Sequence, residues 1–302
     1  MAQPEQVGST RGAGLATSLA EFTRRMALEL ATECPELPGF PEVALRVRKA
    51  LSDADIAIDD VVRIVGAEPS LSVRLLQIAN SVALNPAAQR VTTLRTAIAR
   101  IGFNMARSAT IAFAMSQMRR ADAWHGLEGH FRTIWEASAR LAAMGYAVAR
   151  HCGRGNADQA LLAGMLHSVG KLFVLTRANR FPVLLADAAV REEIVSAWHA
   201  RAGRVLLTQW NLPAELLQAA CDFAEPAEHR AAGEGAMNDS SLCDVLLAAR
   251  YLVNIRNPGD LAGAAFLGAA PFARLGLDEA GAEQVLAASD AEIASLRAAL
   301  AD

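Results

Sequence analysis

The stretch Gly164-Met165-Leu166-His167-Ser168-Val169-Gly170-Lys171-Leu172 follows a long apolar pattern and sets a histidine beside a serine. Imidazole is a common ligand of divalent metal ions. A serine hydroxyl is a poor one, because hard cations prefer charged carboxylate oxygens. The pair His167-Ser168 thus supplies one suitable metal ligand, the imidazole, and one poor ligand, the hydroxyl. Gly170 followed by Lys171 is typical of a helix C-terminus, where a glycine ends the helix and a cation complements its negative end.

The overall composition indicates a globular protein. The chain has 302 residues, 53% of them hydrophobic, which is enough to bury a sizeable core in one or two domains. Its 29 basic residues are nearly balanced by 32 acidic ones. Neutralising a nucleic-acid backbone requires an excess of basic residues, so we expect no nucleic-acid partner.

Four cysteines lie far apart in the chain: Cys34, Cys152, Cys221 and Cys243. They form no CxxC pair, so we expect reduced, buried thiols rather than a zinc knuckle or a redox dithiol. Residues 1–14 lack an apolar run after a basic start, and the apolar run 242–253 is interrupted by Asp244 and Arg250. We therefore expect a cytoplasmic protein with no membrane partner.

Apolar residues recur at three- and four-residue spacing through most of the chain, without a useful alternating strand pattern. This predicts an all-α, multi-helix bundle. Residues 1–16 place glycines among polar residues, which predicts a flexible tail. Periodicity is lost over 119–127, so we place one helical subdomain at 17–120 and a second, with C-terminal helices, at 121–302.

The predicted helices cover about 18–34, 41–51, 59–65, 70–80, 93–101, 103–118, 128–150, 157–167, 183–189, 191–210, 213–224, 240–254, 259–268, 279–287 and 290–300. Gly102 should end one of them in left-handed geometry. The helices at 70–80 and 93–101 do not form a helix-turn-helix, because the linker between them is too long for the usual turn.

Nucleophilic catalysis by Ser168 with His167 is disfavoured, because adjacent residues of a helix point about 100° apart. The chain also carries neither a phosphate-binding loop of the Walker type nor a GxSxG elbow.

Several separated motifs resemble, in order, those of the HDOD (HD-related output domain) family. They comprise Leu37-Pro-Gly-Phe-Pro-Glu-Val-Ala44, the run 68–81, the run 94–102, Trp135, the stretch 164–172, His199-Ala-Arg-Ala-Gly203 and Trp210-Asn-Leu-Pro213. The resemblance covers roughly residues 30 to 255. It implies an all-α bundle, distantly related to HD phosphohydrolases and used in bacterial signalling, with an HD-like second subdomain.

In the HD pattern, a first histidine, a His-Asp pair and a later aspartate hold the metal. By this resemblance their positions fall at Ala137, His167-Ser168 and Arg250, so only His167 is retained. The resemblance thus implies a degenerate HD site with no catalytic residue, no metal and no cofactor. Trp135, Lys171 and His199 would line any pocket that survives, although Trp135 and His199 also fit ordinary core and structural roles.

We therefore expect a non-catalytic bacterial signal-transduction output or adaptor protein that acts through protein–protein interaction. Its partners would be other signalling proteins, such as response regulators or components of cyclic di-GMP pathways. Two alternatives stay open. One is a metal-dependent phosphohydrolase or cyclic-dinucleotide phosphodiesterase with an atypical site, and the other is a ligand-sensing module that uses the vestigial HD pocket.

Overall fold

The described residues fold into helices joined by short connections. The computed structural model describes residues 4–32, 35, 37, 42–50, 53, 55–81, 89–118, 124–210, 212–222, 241–255 and 270–287. The helices are α1 (Pro4–Thr32), α2 (Glu42–Ala50), α3 (Ile58–Gly66), α4 (Pro69–Ala79), α5 (Leu94–Met118), α6 (Glu128–Cys152), α7 (Ala157–Leu166), α8 (Val169–Ala178), α9 (Pro182–Ala186), α10 (Ala188–Gln209), α11 (Ala214–Asp222), α12 (Ser241–Val253) and α13 (Ala270–Leu275). A further helical run covers 279–287.

No strand occurs within these ranges, and the predicted all-α class is confirmed. The helices predicted near 259–268 and 290–300 lie outside the described residues. Gly102 has a φ of 76°, as its predicted left-handed geometry requires, and it divides α5 into two segments.

Helix α1 begins much earlier than the sequence indicated. It starts at Pro4, within the segment that we expected to be a flexible tail. Phe22, Met26 and Leu30 form its buried stripe at four-residue spacing. Once such an anchored segment exists, each added residue closes one more backbone hydrogen bond, so the helix extends toward the N-terminus despite its glycines.

The main contacts of α1 are with α8, α9 and α10. Phe22 packs edge-on against Phe181, with ring centroids 5.9 Å apart. The predicted boundary at residue 120 groups α1 with α2 to α5, but its packing joins it to the second half.

The second half is organised by two close helix pairs, α6 with α7 and α8 with α10. A Cβ atom on Gly164 would lie 2.5 Å from the Cα atom of Ala142, so α7 rests on the backbone of α6. Only glycine permits this approach. The contact fixes the end of α7, and with it the position of His167.

Helix α8 corrects the prediction that Gly170 ends a helix, because Gly170 lies in the first turn of α8. Helix α8 was not predicted from the sequence, because nearly all of its faces are buried and it therefore lacks an amphipathic period. Its buried residues are Val169, Gly170, Leu172, Phe173, Val174, Leu175, Thr176 and Ala178.

The run Ala157–Ala178, which comprises α7 and α8, has the length and hydropathy of a membrane span. Of its 18-residue apolar window, 83% is buried inside the protein. Buried helices of a protein core can have the same length and hydropathy as a membrane span.

Candidate functional site

His167 and Ser168 form the break between α7 and α8, where His167 caps α7 and Ser168 precedes α8. The Nδ1 atom of His167 lies 2.7 Å from the carbonyl oxygen of Gly164. Since a carbonyl only accepts, Nδ1 carries a proton and donates it. The Oγ atom of Ser168 turns instead toward α6.

Two buried serines meet at this point. The Oγ atoms of Ser138 and Ser168 are 2.5 Å apart, and the two residues are 0% and 2% exposed. Ser138 donates its proton to the carbonyl oxygen of Ile134 at 2.9 Å. A hydroxyl has a single proton, so Ser168 must donate to Ser138. The two hydroxyls therefore form a neutral chain that ends on the backbone of α6.

Ser138, and not Ala137, is the α6 residue that faces Ser168. Ala137 is exposed. One step along a helix rotates a side chain by about 100°, so a register difference of one residue moves a position from solvent into the core. The sequence contained a signal for this register, because Phe131, Trp135 and Ser138 follow one another at the four- and three-residue spacing of a buried stripe.

Burial lowers the pKa of His167 to about 4, and positive charges on Lys171, His199 and Arg250 act in the same direction. The hydrogen bond to the carbonyl of Gly164 opposes this change. The His167 imidazole is therefore neutral at pH 7, with its proton on Nδ1. Arg250 is exposed on α12, yet its charge reaches this imidazole.

A close backbone contact brings α8 and α10 together beside His167. A Cβ atom on Gly170 would overlap the carbonyl oxygen of His199 and lie 2.7 Å from the backbone nitrogen of Gly203. His199 itself donates from Nδ1 to the carbonyl oxygen of Val195 at 2.9 Å. Lys171, the residue after Gly170, is partly buried at the same junction.

Trp135 lies in the aromatic core. It is 6% exposed and stacks on Phe131, with ring centroids 6.4 Å apart and an interplanar angle of 16°. Phe131 in turn packs edge-on against the buried Trp124. The position of Trp135 therefore matches the core role that its apolar spacing in the sequence indicated.

The residues around His167 do not fit the divalent metal that an HD enzyme would hold. In the part of the chain that the structure describes, no group of three or more His, Cys, Asp and Glu residues is placed to bind an ion. At the serine pair, each hydroxyl is the other's hydrogen-bond partner. The charges of Lys171 and Arg250 would also oppose a cation.

Similar proteins share this fold over most of the chain. A "putative metal-dependent phosphohydrolase" of Shewanella amazonensis SB2B superposes with a TM-score of 0.67 at 22% identity, covering 95% of this chain and 99% of that one. An HDOD domain protein of unknown function from Geobacter sulfurreducens gives a TM-score of 0.60 at 21% identity, covering 91% and 96%. At these identities the likeness shows the fold alone.

A curated relative, an uncharacterized protein of Treponema pallidum (strain Nichols), is 20% identical over 205 residues. The alignment covers 63% of this chain and 38% of the relative's length. The HDOD domain model matches residues 37–226, well over half of the chain and inclusive of α6 to α10. The chain therefore belongs to the HDOD domain family.

Proposed function

We propose that this chain is a non-catalytic signal-transduction protein that acts through protein–protein contacts. The observation that carries the proposal is the hydrogen bond between Ser138 and Ser168, the residue that by the family resemblance stands in place of the HD aspartate. Two neutral hydroxyls bonded to each other supply no carboxylate to hold the metal ion whose charge would activate a bound water. Family membership supports a signalling role.

The outer surfaces offer charged positions for a partner. On α2, Arg46 and Lys49 are exposed, and the apolar side chain of Leu45 beside them is 38% exposed. On α10, Glu192 and Glu193 are exposed. Separated charge of this kind orients a partner and raises its association rate without altering the fold.

The test is affinity capture from a lysate of the native cells, followed by mass spectrometry. Arg46→Glu combined with Lys49→Glu should abolish capture of a partner that the unchanged protein binds. Arg140→Glu combined with Arg201→Glu is the matched control, because both arginines are exposed in the second half. Neither pair should change the thermal midpoint by more than about 2 °C, since exposed charges contribute little to stability.

His167→Gln should leave capture intact. Loss of the partner in a folded His167→Gln variant, with capture retained by the α2 variant, would indicate a ligand-sensing pocket instead of an adaptor surface. Hydrolysis of cyclic di-GMP above a buffer blank, abolished by His167→Gln, would contradict the non-catalytic part of the proposal.

A further inference from the structure

We propose that Gly102 is a hinge about which helices α2, α3 and α4, together with the first segment of α5, turn as one body against the rest of the protein. These elements, between Glu42 and Ile101, are called the N-terminal lobe below. The inference goes beyond the adaptor role, because it concerns a motion within the isolated chain and needs no partner.

The N-terminal lobe is held together by contacts among its own helices. In the described part of the chain, α2, α3 and α4 make their main contacts with one another and with α5. A Cβ atom on Gly66, at the end of α3, would lie 4.0 Å from the side chain of Leu94 at the start of α5. Asp59 of α3 also forms an ion pair with Arg95. Helix α3 is therefore attached to the segment of α5 that precedes Gly102.

The connection between α4 and α5 is attached at both of its ends. The side chain of Asn80, at the end of α4, donates to the carbonyl oxygen of Val91 and accepts from its backbone nitrogen, both at 2.8 Å. Arg100 of α5 donates to the carbonyl oxygen of Gln89 at 2.9 Å. These bonds join α4 to the first segment of α5, so the lobe should move as a body rather than helix by helix.

The segment of α5 that follows Gly102 belongs to the other half of the protein. Nearly all of its residues from Met105 to Met115 are buried, and α5 packs on α7. The Oγ atom of Ser108 lies 3.2 Å from the carbonyl oxygen of Asp158 in α7. Because α7 rests on the backbone of α6 at Gly164, this segment is fixed to the α6–α7 pair.

Gly102 lies between these two attached segments and has the backbone freedom that a hinge requires. Its φ of 76° and ψ of 166° fall in a region that is essentially restricted to glycine. An added Cβ atom would meet nothing within 4 Å, whereas at Gly164 and Gly170 it would meet backbone. Hinges are a few residues at the ends of elements that absorb a change in φ and ψ, and Gly102 has this position.

The chain crosses between the two bodies a second time in the connection between α1 and α2, since α1 packs on α8, α9 and α10. The N-terminal lobe is thus inserted between α1 and the second segment of α5. It carries the exposed Arg46 and Lys49 of α2, so a partner that binds there would select among positions of the lobe.

The test is the measurement of backbone N–H residual dipolar couplings of the full chain in one weakly aligning medium. Couplings from the N-terminal lobe and couplings from α6, α7, α8 and α10 are fitted separately, each to its own part of the structure. Motion about the hinge averages the couplings of the smaller body, so we expect the degree of alignment of the lobe to be at least about a fifth lower. Equal degrees of alignment in the two bodies would mean that they are rigidly joined, and would overturn the proposal.

Gly102→Ala should reorient the lobe relative to α6 by more than about 10°, because alanine disfavours a positive φ. Gly126→Ala is the matched control. Gly126 has a φ of 82° and open space around an added Cβ atom, but it lies just before α6 and outside the lobe. It should strain the backbone to a similar extent and leave the orientation of the lobe unchanged.

The same reorientation in both variants, or in neither, would also overturn the proposal. The comparison of the two degrees of alignment uses the unchanged protein, so it decides the question even if Gly102→Ala does not fold.

Discussion

The two ends of helix α8 are attached to the rest of the protein in opposite ways. At its start, Gly170 touches the backbone of α10, and Ser168 just before it is bonded to Ser138. At its far end, Arg177 reaches across to Glu29 of α1. The first attachment is made by backbone and very short side chains, whereas the second is made by long charged ones.

The ion pair at the far end is well formed but reaches the surface. The Nε and Nη2 atoms of Arg177 donate to Glu29 at 3.0 and 2.5 Å. The guanidinium also lies 3.9 Å from the ring centroid of Phe173. The two charged side chains are 18% and 35% exposed. Long side chains can release and reform such contacts, but a backbone contact cannot adjust without moving a helix. The start of α8 should therefore be rigid and intolerant of change, and the α1 contact should be adjustable.

The largest effect should come from Gly170→Ala. The added methyl group would overlap the carbonyl oxygen of His199, so α8 and α10 would have to separate. Overpacking a close-packed interior costs about 1–3 kcal/mol and more where backbone must move, so we expect at least about 3 kcal/mol of lost stability. Urea denaturation measures it.

Gly129→Ala is the control for that variant. Gly129 lies in α6 with no other atom within 4 Å of an added Cβ, so the change should stabilise the protein by up to about 1 kcal/mol. Equal stability of the two variants would mean that the α8–α10 backbone contact does not exist.

The second prediction concerns acid sensitivity at the start of α8. The folded pKa of His167 is about 4, below the ordinary value of 6.5. Between these two pH values the His167 imidazole binds a proton in the unfolded chain but stays neutral in the folded chain. The stability that the neutral His167 contributes is therefore fully present above pH 6.5. It is lost as the pH falls toward 4, and the loss is about 3 kcal/mol at most.

Urea denaturation of the unchanged protein and of His167→Gln, each at pH 7 and pH 4.5, tests this prediction. The substitution removes the titrating group. The variant should lose less stability than the unchanged protein over that interval. An identical loss in both proteins would place the acid sensitivity elsewhere, outside the site.

A third prediction tests the register of α6 beside Ser168. Ser138→His, Ser168→Asp and Arg250→Asp together would add three ligand side chains to His167. The control replaces Ser138→His by Ala137→His, whose side chain would be exposed. Both triple variants have one added imidazole and two added carboxylates, but only the first directs that imidazole toward Ser168. We expect it to bind Co²⁺ at least about tenfold more tightly, measured by absorption titration. Equal affinities would favour Ala137 as the site position.

These positions also show what the sequence could and could not determine. The all-α class followed from the amphipathic period, since helices such as α4 bury one face, including Leu71, Leu75 and Ile78. The register of α6 was harder to predict, because Ala137 and Ser138 are adjacent small residues. Neither is the histidine that the HD pattern has at this point of the chain. The role of Gly170 depended on α10, which is distant in the chain. A local pattern indicates a helix end for such a glycine, and only the tertiary contact explains it.

The smallest effect should come from the α1 end. Glu29→Gln keeps the shape of the side chain but removes its charge, so the bidentate pair with Arg177 becomes a weaker neutral contact. We expect a loss of about 1 kcal/mol, greater at low salt, because the pair is only partly buried. Glu21→Gln is the control. Its pair with Arg25 lies within α1 and is 42% and 51% exposed, so its loss should cost no more than about 0.5 kcal/mol. Hydrogen exchange should show faster opening of α1 in Glu29→Gln, with α8 and α10 still protected. If instead α8 and α10 open together with α1, the two ends of α8 form one cooperative unit, and the distinction between a rigid attachment and an adjustable one is wrong.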